Sequence, residues 1–194
     1  MHRFFTGLSR LMAILGGSVL TLLILLICVS ILGRSLNTIL HGPLFDGALS
    51  GVAAWLLALG IGPVNGDFEL VEAGIAFTIF AFMPLCHITG GHASVEIFTS
   101  WLPEKANSLW GMIIEIVFAL VMVTIAIKLK DGMYSQIRTG TTTFLLEFPI
   151  WWAYALSLLG ASVAAVVAVY MACARVVEAL TQRVIIPIAE GAEH

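Results

Sequence analysis

The sequence predicts an all-α integral membrane protein, with four transmembrane helices and a short interfacial helix between the first and second. Three observations carry that prediction. Of the 194 residues, 60% are hydrophobic and 11% are charged, where an ordinary soluble domain is roughly 25% charged. The mean hydropathy is +1.03, and a soluble fold of this size has too little interior to hide that much apolar surface. Four runs each supply the roughly 20 mostly apolar residues that a helix needs to cross about 30 Å of hydrocarbon. The length fits a single membrane domain over residues 1–194.

The first span is placed at about 10–33. Arg3 and Arg10 precede it, and Leu11 to Gly33 carries no charge. That run is longer than the roughly 7–15-residue apolar core of a secretory signal, and no convincing small-x-small cleavage pattern closes it, so a retained anchor is expected. Residues 47–64 are uncharged but glycine-rich and end in Gly62-Pro63-Val64. Their helical part, about 48–59, is too short to span and is expected to lie at the membrane surface. The second span, about 70–90, opens on Glu69 and Glu72 and carries Pro84, where a kink is expected. The third, about 108–130, is interrupted by Glu115. The fourth, about 149–175, starts at Pro149, which suits a helix's first turn, and is free of charge until Arg175. A tail, 176–194, follows.

Orientation is read from Lys and Arg beside the spans. Four crossings put Arg3, Arg10, Lys105, Arg175 and Arg183 on one side and Arg34, Lys128, Lys130 and Arg138 on the other. The pair leading the first helix outweighs the single arginine trailing it, so both termini are expected in the cytoplasm. Trp101, Trp110, Trp151 and Trp152 fall at span ends, as an interfacial aromatic belt requires.

Several function classes lack their chemistry here. The net charge is −3 with no basic cluster, so nucleic acid is not an expected partner. Cys28, Cys86 and Cys173 are odd in number, far apart and set in apolar runs, which reads as packing rather than a disulfide framework or zinc site. The sequence offers no phosphate-binding glycine loop, Ser-His-Asp order or Cys-Cys pair. No enzyme activity, cofactor or metal is therefore expected. Four helices without an internal repeat also make a poor stand-alone transporter.

The remaining polar residues are few. An ionisable group inside a span is a functional candidate because burying it in lipid is costly. Glu115 is the carboxylate set clearly within a span: it could bind an ion or proton, pair with a basic residue on a neighbouring helix, or reach the interface. Glu69 and Glu72, three apart, share a helix face. They suit either the first-turn dipole of the second helix or a polar contact with another protein. His87 and His92 lie five residues apart, about 140° around a helix at 100° per residue, so one face cannot offer both to a metal. Gly160, Ala164, Ala168 and Ala172 recur every four residues. That stripe permits close backbone approach in lipid, within this chain or to another subunit.

Taken in order, these features resemble the small membrane subunit (the DctQ-like component) of tripartite ATP-independent periplasmic, or TRAP, transporters. The resemblance covers nearly the whole chain. It rests on Ile31-Leu32-Gly33-Arg34 closing the first helix and Gly66-Asp67-Phe68-Glu69-Leu70-Val71-Glu72 opening the second. It continues with Gly90-Gly91-His92-Ala93-Ser94-Val95-Glu96 before Trp101-Leu102-Pro103, and with Phe148-Pro149-Ile150-Trp151-Trp152 entering the last helix. Two features depart from the family pattern: a longer 47–64 stretch, and Ser94 where a basic residue is common.

The resemblance implies a subunit of the bacterial inner membrane that joins a much larger permease subunit. In the family that larger subunit holds the sodium and substrate sites and moves as an elevator, while a periplasmic binding protein delivers an organic acid. The small subunit would act as a scaffold in the bilayer, with Arg34, Glu69, Glu72, His92 and Glu115 making polar contacts to subunits or lipid headgroups. Two other readings stand beside it: a self-sufficient channel with Glu115 in the ion path, and a cytochrome-type membrane subunit with His87 or His92 as ligand.

Overall fold

In hydrocarbon a backbone must satisfy its own N–H and C=O groups, so an apolar chain such as this one resolves into helices. A computed structural model describes residues 2–42, 51, 54, 55, 60, 62–90 and 104–181. Among the described residues four long helices form: α1 (His2–Leu40), α2 (Asp67–Ile88), α3 (Glu104–Thr139) and α4 (Trp151–Thr181). All four contain stretches long and apolar enough to cross a membrane, and the chain is an all-α membrane protein. Of the expected interfacial helix at 48–59, residues 51, 54 and 55 are helical and the rest lie outside the described residues. His92, with residues 91–103, and the tail from 182 lie outside them as well.

The helices outrun the apolar runs that mark them. α1 has 39 residues, about 58 Å at 1.5 Å per residue, well beyond a hydrocarbon core of roughly 30 Å. Four of its hydroxyls are absorbed locally: Thr6, Ser18, Thr21 and Thr38 each donate to the carbonyl four residues back. Such bonds let polar side chains sit on a lipid-facing helix without an unsatisfied donor. Pro84 lies inside α2, buried, and the helix ends four residues later at Ile88.

α3 and α4 are joined by a tight return. Gly140 takes the left-handed conformation at φ 62 and stops α3. A short antiparallel pairing follows, with Thr143 N–H donating to Phe148 C=O at 3.0 Å and Ile150 N–H donating to Thr141 C=O at 3.1 Å. Pro149 stands two residues before Trp151, the first residue of α4, and its carbonyl accepts from Trp152 N–H.

The helices pack in the spatial order α1, α2, α4, α3. Small residues set each approach, as expected where dispersion and close backbone contact drive association. Gly16 brings α1 onto α2: a Cβ built there would stand 2.8 Å from Ala81 Cβ. Gly160 brings α4 onto α2 at Phe80 and Ala81. Ala164, Ala168 and Ala172 are buried with Ala119 and Met122 in the seam between α4 and α3. A second seam joins Ile88 to Val167, Met171 and Ala174. α1 and α4 touch chiefly near the start of α1, where Phe5 stacks on Tyr170 with ring centroids 4.2 Å apart.

This order makes α4 the centre. Half of its most apolar stretch is buried, against 11% of the corresponding stretch in α1 and in α3. The two flanking helices therefore present most of their apolar surface outward.

Candidate functional site

Polar groups collect at two depths. The first lies at the end of the molecule where α1 and α3 finish and α2 and α4 begin, called here the Arg34 end. Ser30, fully buried on α1, donates its hydroxyl to Asp67 Oδ2 at 2.6 Å and accepts from Val64 N–H at 3.3 Å. Asp67 Oδ1 accepts from Phe68 N–H at 2.9 Å, and Arg34 stands 3.5 Å from Oδ2. Arg34 is more than half exposed, so its pairing alone contributes little. The Ser30 bond and the backbone donors hold the carboxylate. Ser30 and Arg34 are four apart and so project from one face of α1 toward the same acid.

Glu69 acts differently. Its Oε1 and Oε2 accept from Leu145 N–H at 2.7 Å and Leu146 N–H at 2.9 Å. One carboxylate thus fastens the α3–α4 return to the first turn of α2. Leu146 packs over Gly66, whose φ of 78 and lack of a Cβ leave room for it. Held this way, the return exposes Phe144 at 92% and Leu145 at 60%. Glu72 is exposed, on the same side of α2 as Glu69, and both line a cavity of about 340 Å³ between α2, α3 and α4.

The second depth lies toward the opposite end. His87 Nε2 on α2 stands 2.9 Å from Glu115 Oε2 on α3, with side-chain exposures of 6% and 17%. The His87 ring stacks on Phe118 at 4.3 Å and 12°. The backbones of α2 and α3 make no close approach among the described residues, so this pair is a side-chain bridge between them. Arg175 and Glu178, three apart on α4, pair at 3.0 Å near that same end.

The sequence-derived candidates therefore divide. Arg34 and Glu69 meet groups of their own chain, Glu115 meets His87, Glu72 faces the cavity, and His92 lies outside the described residues. Gly160, Ala164, Ala168 and Ala172 face α2 and α3 of the same chain. Ser30, Asp67 and His87 were not singled out as contact residues. Asp67 had a signal, an acid directly before Glu69 and Glu72 at a helix start. Ser30 had only its spacing from Arg34. Among the described residues no three His, Cys, Asp or Glu side chains form a metal-binding group.

Comparison with known proteins adds one match. The family model described as "Tripartite ATP-independent periplasmic transporters, DctQ component" matches residues 56–179. Neither a curated protein nor a solved structure matches the chain.

Proposed function

The chain belongs to the DctQ components of the tripartite ATP-independent periplasmic transporters, and from that premise we propose that it works as a fixed scaffold rather than as a transport path. It is a multi-pass membrane subunit, and its family is one of transporter components. The finer reading is that it braces a much larger elevator-type permease subunit, which takes up an organic acid with sodium after delivery by a periplasmic binding protein. Both termini face the cytoplasm in this reading, so the Arg34 end is periplasmic.

The observation that carries the scaffold role is the match over residues 56–179. The geometry supports it. Asp67, Glu69 and Glu115 are engaged by side chains or amides of this chain, so their chemistry serves to fix helices. The outward apolar faces of α1 and α3 offer what a second membrane protein would cover.

Co-purification tests the proposal. The tagged chain, expressed with its chromosomal neighbours and extracted in mild detergent, is expected to bring down one larger polytopic protein in fixed stoichiometry. A chain that emerges alone, folded and monodisperse, defeats it. Transport by the purified chain alone in liposomes would favour the channel reading instead.

A further inference from the structure

The cavity beside Glu72 is not needed for scaffolding, and its chemistry is that of a binding site. It exists because α2 and α3 stand apart while α4 forms the floor between them, and because Ala73 and Ala153 leave space on the walls. Glu69, Glu72, Thr143, Tyr154 and Ser157 supply its polar groups. No basic side chain lines it among the described residues. Glu69 is committed to the amides of Leu145 and Leu146, which leaves the Glu72 carboxylate at the mouth as the uncompensated charge.

A second, separate observation points into the same space. Ser157 is 2% exposed and lines the cavity, yet its hydroxyl does not bond back to its own helix as that of Thr124 does to Leu120. A hydroxyl held off its helix on a cavity wall is free to meet a ligand there. Carboxylate and hydroxyl oxygens together suit a cation that carries N–H donors. A primary ammonium has three such donors and a quaternary ammonium has none. Trp151 and Trp152, at the start of the same helix, mark headgroup depth.

We infer that this cavity binds the primary ammonium of an ethanolamine phospholipid headgroup, with Glu72 as its counter-ion and Ser157 and Tyr154 as hydroxyl partners. The inference does not depend on the scaffold role. A lysine of a neighbouring subunit has the same chemistry, and the experiment separates the two.

The full chain, purified from its native membrane with whatever subunits accompany it, is placed in micelles holding equal ethanolamine and choline phospholipid. Retained lipid is then read by native mass spectrometry. The ethanolamine lipid is expected to be retained over the choline lipid. Glu72→Gln is expected to lower that retention about tenfold, the scale of a lost charge-assisted hydrogen bond. Ser157→Ala is expected to lower it less, and Asp131→Asn, on α3 away from the cavity, to leave it unchanged. Equal retention of both lipids, which needs no variant to read, overturns the inference. So does undiminished selectivity in Glu72→Gln, or a carbodiimide cross-link from Glu72 to a co-purifying lysine.

Discussion

Glu69 shows how much one side chain can organise when both its oxygens meet backbone donors. Its bonds to Leu145 and Leu146 span 76 and 77 residues of sequence, and they hold the α3–α4 return against α2. Glu69→Gln keeps one acceptor and loses the charge. Hydrogen exchange at the Leu145 and Leu146 amides is expected to accelerate by roughly tenfold or more, while helical content stays unchanged. The His87–Glu115 bridge differs because it is buried in the span. His87→Ala leaves a carboxylate without its partner, and a loss of about 1–3 kcal/mol is expected in thermal or denaturant unfolding. His87→Phe with Glu115→Leu is expected to recover most of that loss, since the removed pair no longer needs satisfying. The sequence revealed that Glu69 and Glu72 share a face, and that Glu115 is an ionisable group set within a span. It could not name the amides of residues 145 and 146, because nothing local in either segment marks the other. The sequence offers His87 as a ligand and not as a close neighbour of Glu115, since helix pairing must be known first.

At the scale of elements, hydropathy was a sufficient guide to where helices exist. It said less about where they stop. α3 continues to Thr139 because Lys128, Lys130, Gln136 and Arg138 are good helix formers once the chain has left the apolar run, and Gly140 ends it by conformation rather than polarity. Close packing of α2 on α4 turns on Gly160, where a Cβ would meet Phe80 Cβ at 3.0 Å. Gly160→Leu is expected to force the helices apart at a cost of about 1–3 kcal/mol, seen as a lowered melting temperature. Gly66 is constrained twice, by its φ of 78 and by the Leu146 side chain above it. Gly66→Ala is expected to destabilise by about 1 kcal/mol or more. Adding Leu146→Ala relieves the overlap but not the backbone strain, so rescue should be partial. The small-residue stripe on α4 was legible as a packing face, whereas its partners were not, because a four-residue period fits any close helix neighbour equally well.

At the scale of the whole molecule, the proposed orientation can be read by cysteine labelling. A cysteine at Thr139 is expected to react with an impermeant maleimide on intact spheroplasts. One at Thr181 is expected to react only after permeabilisation. The reverse pattern would invert the orientation and move the exposed Phe144 and the Glu72 cavity to the cytoplasmic side. The spatial order α1, α2, α4, α3 also bears on how the protein is made. Helices leave the translocon in sequence order, yet among the described residues α3 finds its backbone seam on α4, the last of the four, and meets α2 through side chains alone. α1 and α2 can pair as a hairpin as soon as both have inserted, but α3 has only the side-chain bridge to α2 until its main seam arrives with α4. α4 is thus a keystone. A nascent chain arrested before Trp151 is expected to protect α1 and α2 from proteolysis while leaving α3 a target for membrane quality control.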